Sequence, residues 1–109
     1  MSGPSLVRLV NGFVVREGME VAFLNSWEAT GAIFRAQPGF IDTVLHRALP
    51  DQPLGDAPYT HVNVATWRTA ADYARAVRHP EIARLAGRYR AVTTLSPALY
   101  EPVRVLKPE

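Results

Sequence analysis

Within "HVNVATW", His61 to Trp67, an imidazole, a carboxamide and an indole recur at alternate positions of a segment that reads as a strand. Two-residue periodicity places His61, Asn63, Ala65 and Trp67 on one face, and Val62 and Val64 on the other. The first face is therefore either a core with polar intruders or the wall of a pocket. Tyr73 follows six residues after Trp67. Upstream, "LVRLVNGFVVR" carries Asn11 on a face otherwise made of Val7, Leu9, Phe13 and Val15. Each residue alone has an ordinary explanation: a satisfied strand amide, a core indole, a helix-packing phenol. Together they aim two carboxamides, an indole, a phenol and an imidazole at one space. A buried carboxamide without partners costs about 1–3 kcal/mol, and a ligand can supply those partners.

Composition narrows the chemistry. The 109 residues contain no cysteine, which removes disulfides, thiol catalysis, zinc knuckles and iron–sulfur ligation together. There is no phosphate-binding glycine loop, no G-x-S-x-G elbow and no H-E-x-x-H, so no metal site is expected. Asp42 and Glu20 stand apart from any second carboxylate. Reactivity would have to come from the substrate or from a bound organic cofactor. A net charge of +2 is too small to imply nucleic acid, and Arg68, Arg75, Arg78, Arg84, Arg88 and Arg90 read as a solvated helical face, one or two of them able to attract an anion. No apolar run approaches the roughly 20 residues of a membrane span, and no secretory leader is evident, so a cytoplasmic protein without membrane partners is expected.

These groups need a scaffold, and the chain supplies its order. Leu6–Arg16 reads as a strand closed by Glu17-Gly18, and Met19–Gln37 as a helix with Phe23, Trp27 and Phe34 on one stripe, stopped by Pro38-Gly39. Phe40–Leu49 reads as a second strand, and the proline-rich stretch Pro50 to Pro58 as an exposed loop or lid. Tyr59–Arg68 is the third strand. Thr69, three residues before Asp72, has the spacing of a helix cap, and Ala70, Tyr73, Ala74 and Val77 make that helix's apolar stripe. Pro80 should break or restart it, and Gly87 should end it. Ala91–Leu106 reads as a last strand, which Pro97 and Pro102 confine to an edge. Strand-helix-strand twice over is the ferredoxin-like split βαβ order of an α+β protein, one domain over residues 1–109, with a four-stranded antiparallel sheet and two helices on one face. The opposite sheet face, with Val10, Val14, Val62, Val64 and either Val44 or Leu45, is too apolar to stay wet, and a homodimer is expected.

The stretches "NGFVVREGMEVAFLNSW", "QPGFIDTVLHRAL" and "YTHVNVATWRTAADYARAVRHPEIARLA" resemble the antibiotic biosynthesis monooxygenase family, small dimeric α+β barrels. The likeness spans about 85 residues and weakens after Gly87. Its most specific part is Asn63, Trp67 and Tyr73 at spacings of four and six, similar to the quinone-forming members that use neither metal nor flavin. The resemblance implies oxidation of an anthrone-like polycyclic aromatic by dioxygen, without cofactor. It implies Asn63, Trp67, Tyr73 and Asn11 as catalytic groups. His61, Phe13, Phe23, Trp27 and Arg88 are expected at the substrate, Arg88 standing nearest to an arginine the family carries late in the second helix. Haem-degrading members share the first-strand asparagine and the tryptophan but need a late helical histidine. Here Gly87 stands at about that place, and His79 lies two turns earlier. A non-catalytic protein that binds a small aromatic, or a regulatory module, is the alternative of another class.

Overall fold

A computed structural model of the chain describes residues 6–109. Its elements run β1 (Val7–Phe13), α1 (Glu20–Phe34), β2 (Phe40–Arg47), β3 (His61–Trp67), α2 (Ala70–Ala76), α3 (Pro80–Val92) and β4 (Ser96–Tyr100). The four strands form one antiparallel sheet in the order β2-β3-β1-β4. This is the ferredoxin-like arrangement, with β1 and β3 as central neighbours and the proline-bearing β4 at an edge. Asn11 lies directly opposite Asn63 in the β1–β3 register.

The second helix of the expected fold is two helices. Thr69 caps α2 by accepting from the Asp72 N–H at 3.0 Å. His79 then caps α3, its Nδ1 accepting from the Glu81 N–H at 3.1 Å, with Pro80 in the first turn, where its missing N–H costs nothing. The α2 stripe also differs from expectation. Ala76 is buried and Tyr73 and Val77 half-buried, while Ala70 and Ala74 face outward.

Gly87 does not end α3. The helix continues to Val92 because Tyr89 and Val92 bury themselves against Phe13 and Phe23, and that packing outweighs one helical glycine. The last strand is correspondingly shorter than expected, Ser96–Tyr100 in place of Ala91–Leu106. Pro97 pairs with Asn11 at the edge, as its missing donor requires.

A bulge between Phe40 and Asp42 shifts the β2 register by one residue. Phe40, Thr43 and Leu45 consequently all face the helices, and Val44 takes the outer face. The core has two parts. One gathers Leu9, Ala65, Trp67 and Ala76, and the other Phe13, Phe23, Tyr89 and Val92. Between them the inner face of the sheet is not filled.

Candidate active site

The unfilled space is a cavity of about 180 Å³ between the sheet and the helices. Asn11 and Phe13 reach it from β1, Asn63, Ala65 and Trp67 from β3, Trp27 and Thr30 from α1, Tyr73 from α2 and Tyr89 from α3. None of its nineteen lining residues carries a charge. The polar groups in it are two amides, two indoles, two phenols and two threonine hydroxyls, set among leucine, phenylalanine and alanine.

Both amides have a determined orientation. The Asn63 Oδ1 accepts from Thr43 Oγ1 at 2.7 Å and from Trp27 Nε1 at 3.3 Å. An indole N–H can only donate, so the oxygen end of the amide must face it. The Asn63 NH₂ is left to the cavity as a donor. Asn11 is fixed similarly, because its Oδ1 accepts from the Ser96 N–H at 3.0 Å. That contact secures β4 at the point where Pro97 has no N–H to offer β1.

Trp67 is 1% exposed, and its Nε1 is buried without a hydrogen-bond partner. The rings of Phe34, Phe40 and Tyr73 meet it edge-on at centroid distances of 5.9, 5.4 and 5.6 Å. An orphaned N–H of this kind costs about 1–3 kcal/mol until an acceptor reaches it. Burial raises the Tyr73 phenol above its ordinary value of 10.0. Burial also pushes Tyr89 up to about 12, opposed by a hydrogen bond with Thr30. Both phenols therefore keep their protons at neutral pH and can donate or relay a proton, but do not act as resident bases.

Three sequence-designated residues stand elsewhere. His61 is buried beside the Phe23 ring, at 4.9 Å between centroids, with Nε2 3.0 Å from Glu20 Oε2 and Nδ1 2.9 Å from Thr60 Oγ1. It is a wall of a separate surface groove with Glu20 and Arg47, not of the cavity. Phe23 is fully buried behind the cavity, between Phe13 and Tyr89. Arg88 is exposed, because α3 turns Leu85, Tyr89 and Val92 inward and the residue before Tyr89 falls about 100° away. Glu20 is held below its ordinary value of 4.5, first by hydrogen bonding to Arg47 and further by His61. His79 serves as a helix cap and is not a cavity residue.

Thr43 and Tyr89 were not foreseen, and Thr30, close in angle to the Phe23, Trp27 and Phe34 stripe of α1, was not designated a site residue. A search for what could hold the Asn63 amide would have pointed to β2, but only the bulge turns Thr43 inward. Tyr89 lies four residues after Leu85 and three before Val92, a helical stripe that a helix ending at Gly87 conceals. Among the described residues no group of three or more His, Cys, Asp or Glu side chains is placed to hold a metal ion, and no helix is long and apolar enough to cross a membrane.

No family model and no curated protein matches the sequence. Solved structures do. The cofactor-independent oxygenase SnoaB of Streptomyces nogalater is 30% identical, with 96% of this chain and 99% of that chain covered and a TM-score of 0.79. The chain belongs to the antibiotic biosynthesis monooxygenase family. A putative monooxygenase of Shewanella loihica is also 30% identical over 95% of this chain and all of that one, with a TM-score of 0.75. A putative antibiotic biosynthesis monooxygenase of Bordetella bronchiseptica, 16% identical over 94% of this chain and 99% of that one, shares the fold with a TM-score of 0.72. Membership in the antibiotic biosynthesis monooxygenase family makes the chain an enzyme of the monooxygenase class, and the cavity is its candidate active site.

Proposed function

We propose that the protein oxidises an electron-rich polycyclic phenol of the anthrone type to a quinone, with dioxygen as co-substrate and no cofactor. The observation that carries this reading is the convergence of the Asn63 and Asn11 amide donors and the unpartnered Trp67 indole N–H on one uncharged cavity. The 30% identity to an oxygenase described as cofactor-independent supports it.

The chemistry follows from what such a cavity can do. An anthrone that loses a proton from its methylene becomes a delocalised enolate whose negative charge collects on the carbonyl oxygen. Amide and indole donors fixed before the reaction stabilise that oxygen most strongly where water is excluded. The enolate carbon passes one electron to dioxygen, and the two radicals combine into a C–O bond. Protonation of the distal oxygen, with Tyr73 placed to relay the proton, and loss of water across the O–O and remaining C–H bonds leave the new carbonyl. One anthrone and one dioxygen give one quinone and one water. With no carboxylate or imidazole in the cavity wall, the first proton leaves to solvent, so the substrate must itself be acidic at the methylene. The apolar walls favour a flat neutral aromatic. A homodimer formed through the outer sheet face is part of this reading.

Aerobic mixing of the protein with an anthrone, followed by absorbance of the quinone, is the test. Asn63→Ala should lower kcat by about 10²–10³, the usual effect of removing one oxyanion donor. Trp67→Phe, which keeps an aromatic ring but removes the N–H together with the second ring of the indole, should lower it at least about tenfold. Quinone formation no faster than in buffer, or unchanged in both variants, would refute the proposal for this substrate class.

A further inference from the structure

A cavity of about 180 Å³ is small beside the roughly 300–1,000 Å³ of ordinary ligand pockets. A second groove, about 450 Å³ in volume, opens beside it between α1 and β2. The two share four wall residues, Trp27, Gly31, Phe40 and Thr43. Beyond that shared boundary the groove turns polar, with the exposed side chains of Glu28, Arg35 and Asp42, none in an ion pair among the described residues.

Gly31 is the informative member of the boundary. It sits inside a regular helix, its φ is not positive, and a Cβ built on it would meet no heavy atom within 4 Å. Neither backbone conformation nor packing requires glycine there, and alanine would make the better helix. What the missing side chain leaves open is the space between the cavity and the groove. We infer that Gly31 forms the sill of a second substrate subsite: the reacting rings occupy the inner cavity, and a polar arm of the same substrate crosses Gly31 into the groove lined by Glu28, Arg35 and Asp42. Two carboxylates against one guanidinium favour an arm ending in an ammonium or hydroxyl group over one ending in a carboxylate. This assignment rests on the oxidase reading for its inner half, but its outer half is a statement about binding.

The test separates the two. Anthrone and an anthrone bearing an aminoalkyl chain are titrated anaerobically into the protein, and quenching of tryptophan fluorescence is followed, with Trp27 at the boundary as reporter. Aerobic turnover of both compounds is measured separately. In Gly31→Ala the unfolding temperature should equal or exceed that of the parent protein. The chain-bearing compound should lose at least tenfold more affinity than anthrone does, with Gly31→Val widening that gap. Gly87→Ala, at an exposed helical glycine outside the cavity, should change neither. Glu28→Gln with Asp42→Asn should weaken the aminoalkyl compound and not anthrone. In turnover the loss in Gly31→Ala should fall on KM for the longer compound. If Gly31→Ala weakens both compounds equally or neither, or if the parent protein fails to bind the longer one, the subsite is refuted. If binding discriminates as described while neither compound is oxidised, the subsite stands and the oxidase reading falls.

Discussion

At the residue scale, the site depends on which end of an amide points where. Thr43 Oγ1 and Trp27 Nε1 occupy the Asn63 oxygen, and this leaves its NH₂ to the cavity. Thr43→Val removes one of the two donors without changing side-chain volume much. It should lower kcat about five- to tenfold with little change in KM, and Thr43→Ser should restore it. If Thr43→Val acts only through KM, the hydroxyl packs against substrate and does not position the amide. The pH dependence has an equally definite sign. Burial raises both cavity phenols, Tyr89 to about 12, so neither titrates near neutrality. An ascending limb in kcat/KM against pH should therefore follow the substrate's own ionisation, moving when a more acidic anthrone is used. A limb that stays fixed across substrates would reveal a protein base. Asn63, Trp67 and Tyr73 were legible in the sequence because alternation and helical spacing assign faces without knowledge of partners. His61 obeys the same alternation yet is claimed by Glu20 and Thr60, which no single-strand pattern reveals.

At the element scale, period-two and helical patterns recovered β1, α1 and β3, the pieces whose buried faces are continuous. They recovered β2 as a strand but left open whether Val44 or Leu45 faces outward, which the bulge at its start decides for Val44, and they misplaced the end of α3, because Gly87 interrupts that helix without ending it. Gly87→Ala should therefore stabilise the protein by about 0.5–1 kcal/mol, read as a raised urea midpoint at unchanged slope. Gly39 is the opposite case. Its φ is +91°, and an added Cβ would run into the Asp72 side chain at the start of α2. Gly39→Ala should destabilise by more than about 1 kcal/mol. The α1–β2–β3 corner is tied by Glu20, whose carboxylate meets Arg47 at 2.9 Å and His61 at 3.0 Å. Because folding lowers its ionisation from 4.5, its contribution is present above that value and fades as the pH falls through the lower folded value. The thermal midpoint of Glu20→Gln should lie below that of the parent protein at neutral pH, and the gap should close in acid. A gap independent of pH would mean that the carboxylate's charge is not what it contributes.

At the scale of the whole molecule, the proposed pairing rests on the outer face of the sheet. The strand registers align Val44, Val64, Val10 and Ala98 in one row across all four strands, and Val44 remains 52% exposed. The Tyr59 ring lies against Gly12 beside that row, so closely that a Cβ at Gly12 would fall 2.6 Å from its carbons. Among the described residues no helix covers this face, since α1, α2 and α3 pack on the other side. An apolar row on an open sheet face can meet its own copy about a twofold axis, and a stable interface of that kind buries roughly 1,200–2,000 Å². The chain should therefore sediment at twice its own mass at micromolar concentration. Val64→Lys places a charge at the centre of the row and should weaken self-association by at least about a hundredfold, near 3 kcal/mol. Val21→Lys is the control, at a valine 72% exposed on α1, and should leave the mass unchanged. A parent protein that sediments as a single chain would mean that the valine row is met by a different partner or by water. A Val64→Lys variant that still pairs would move the interface off the sheet.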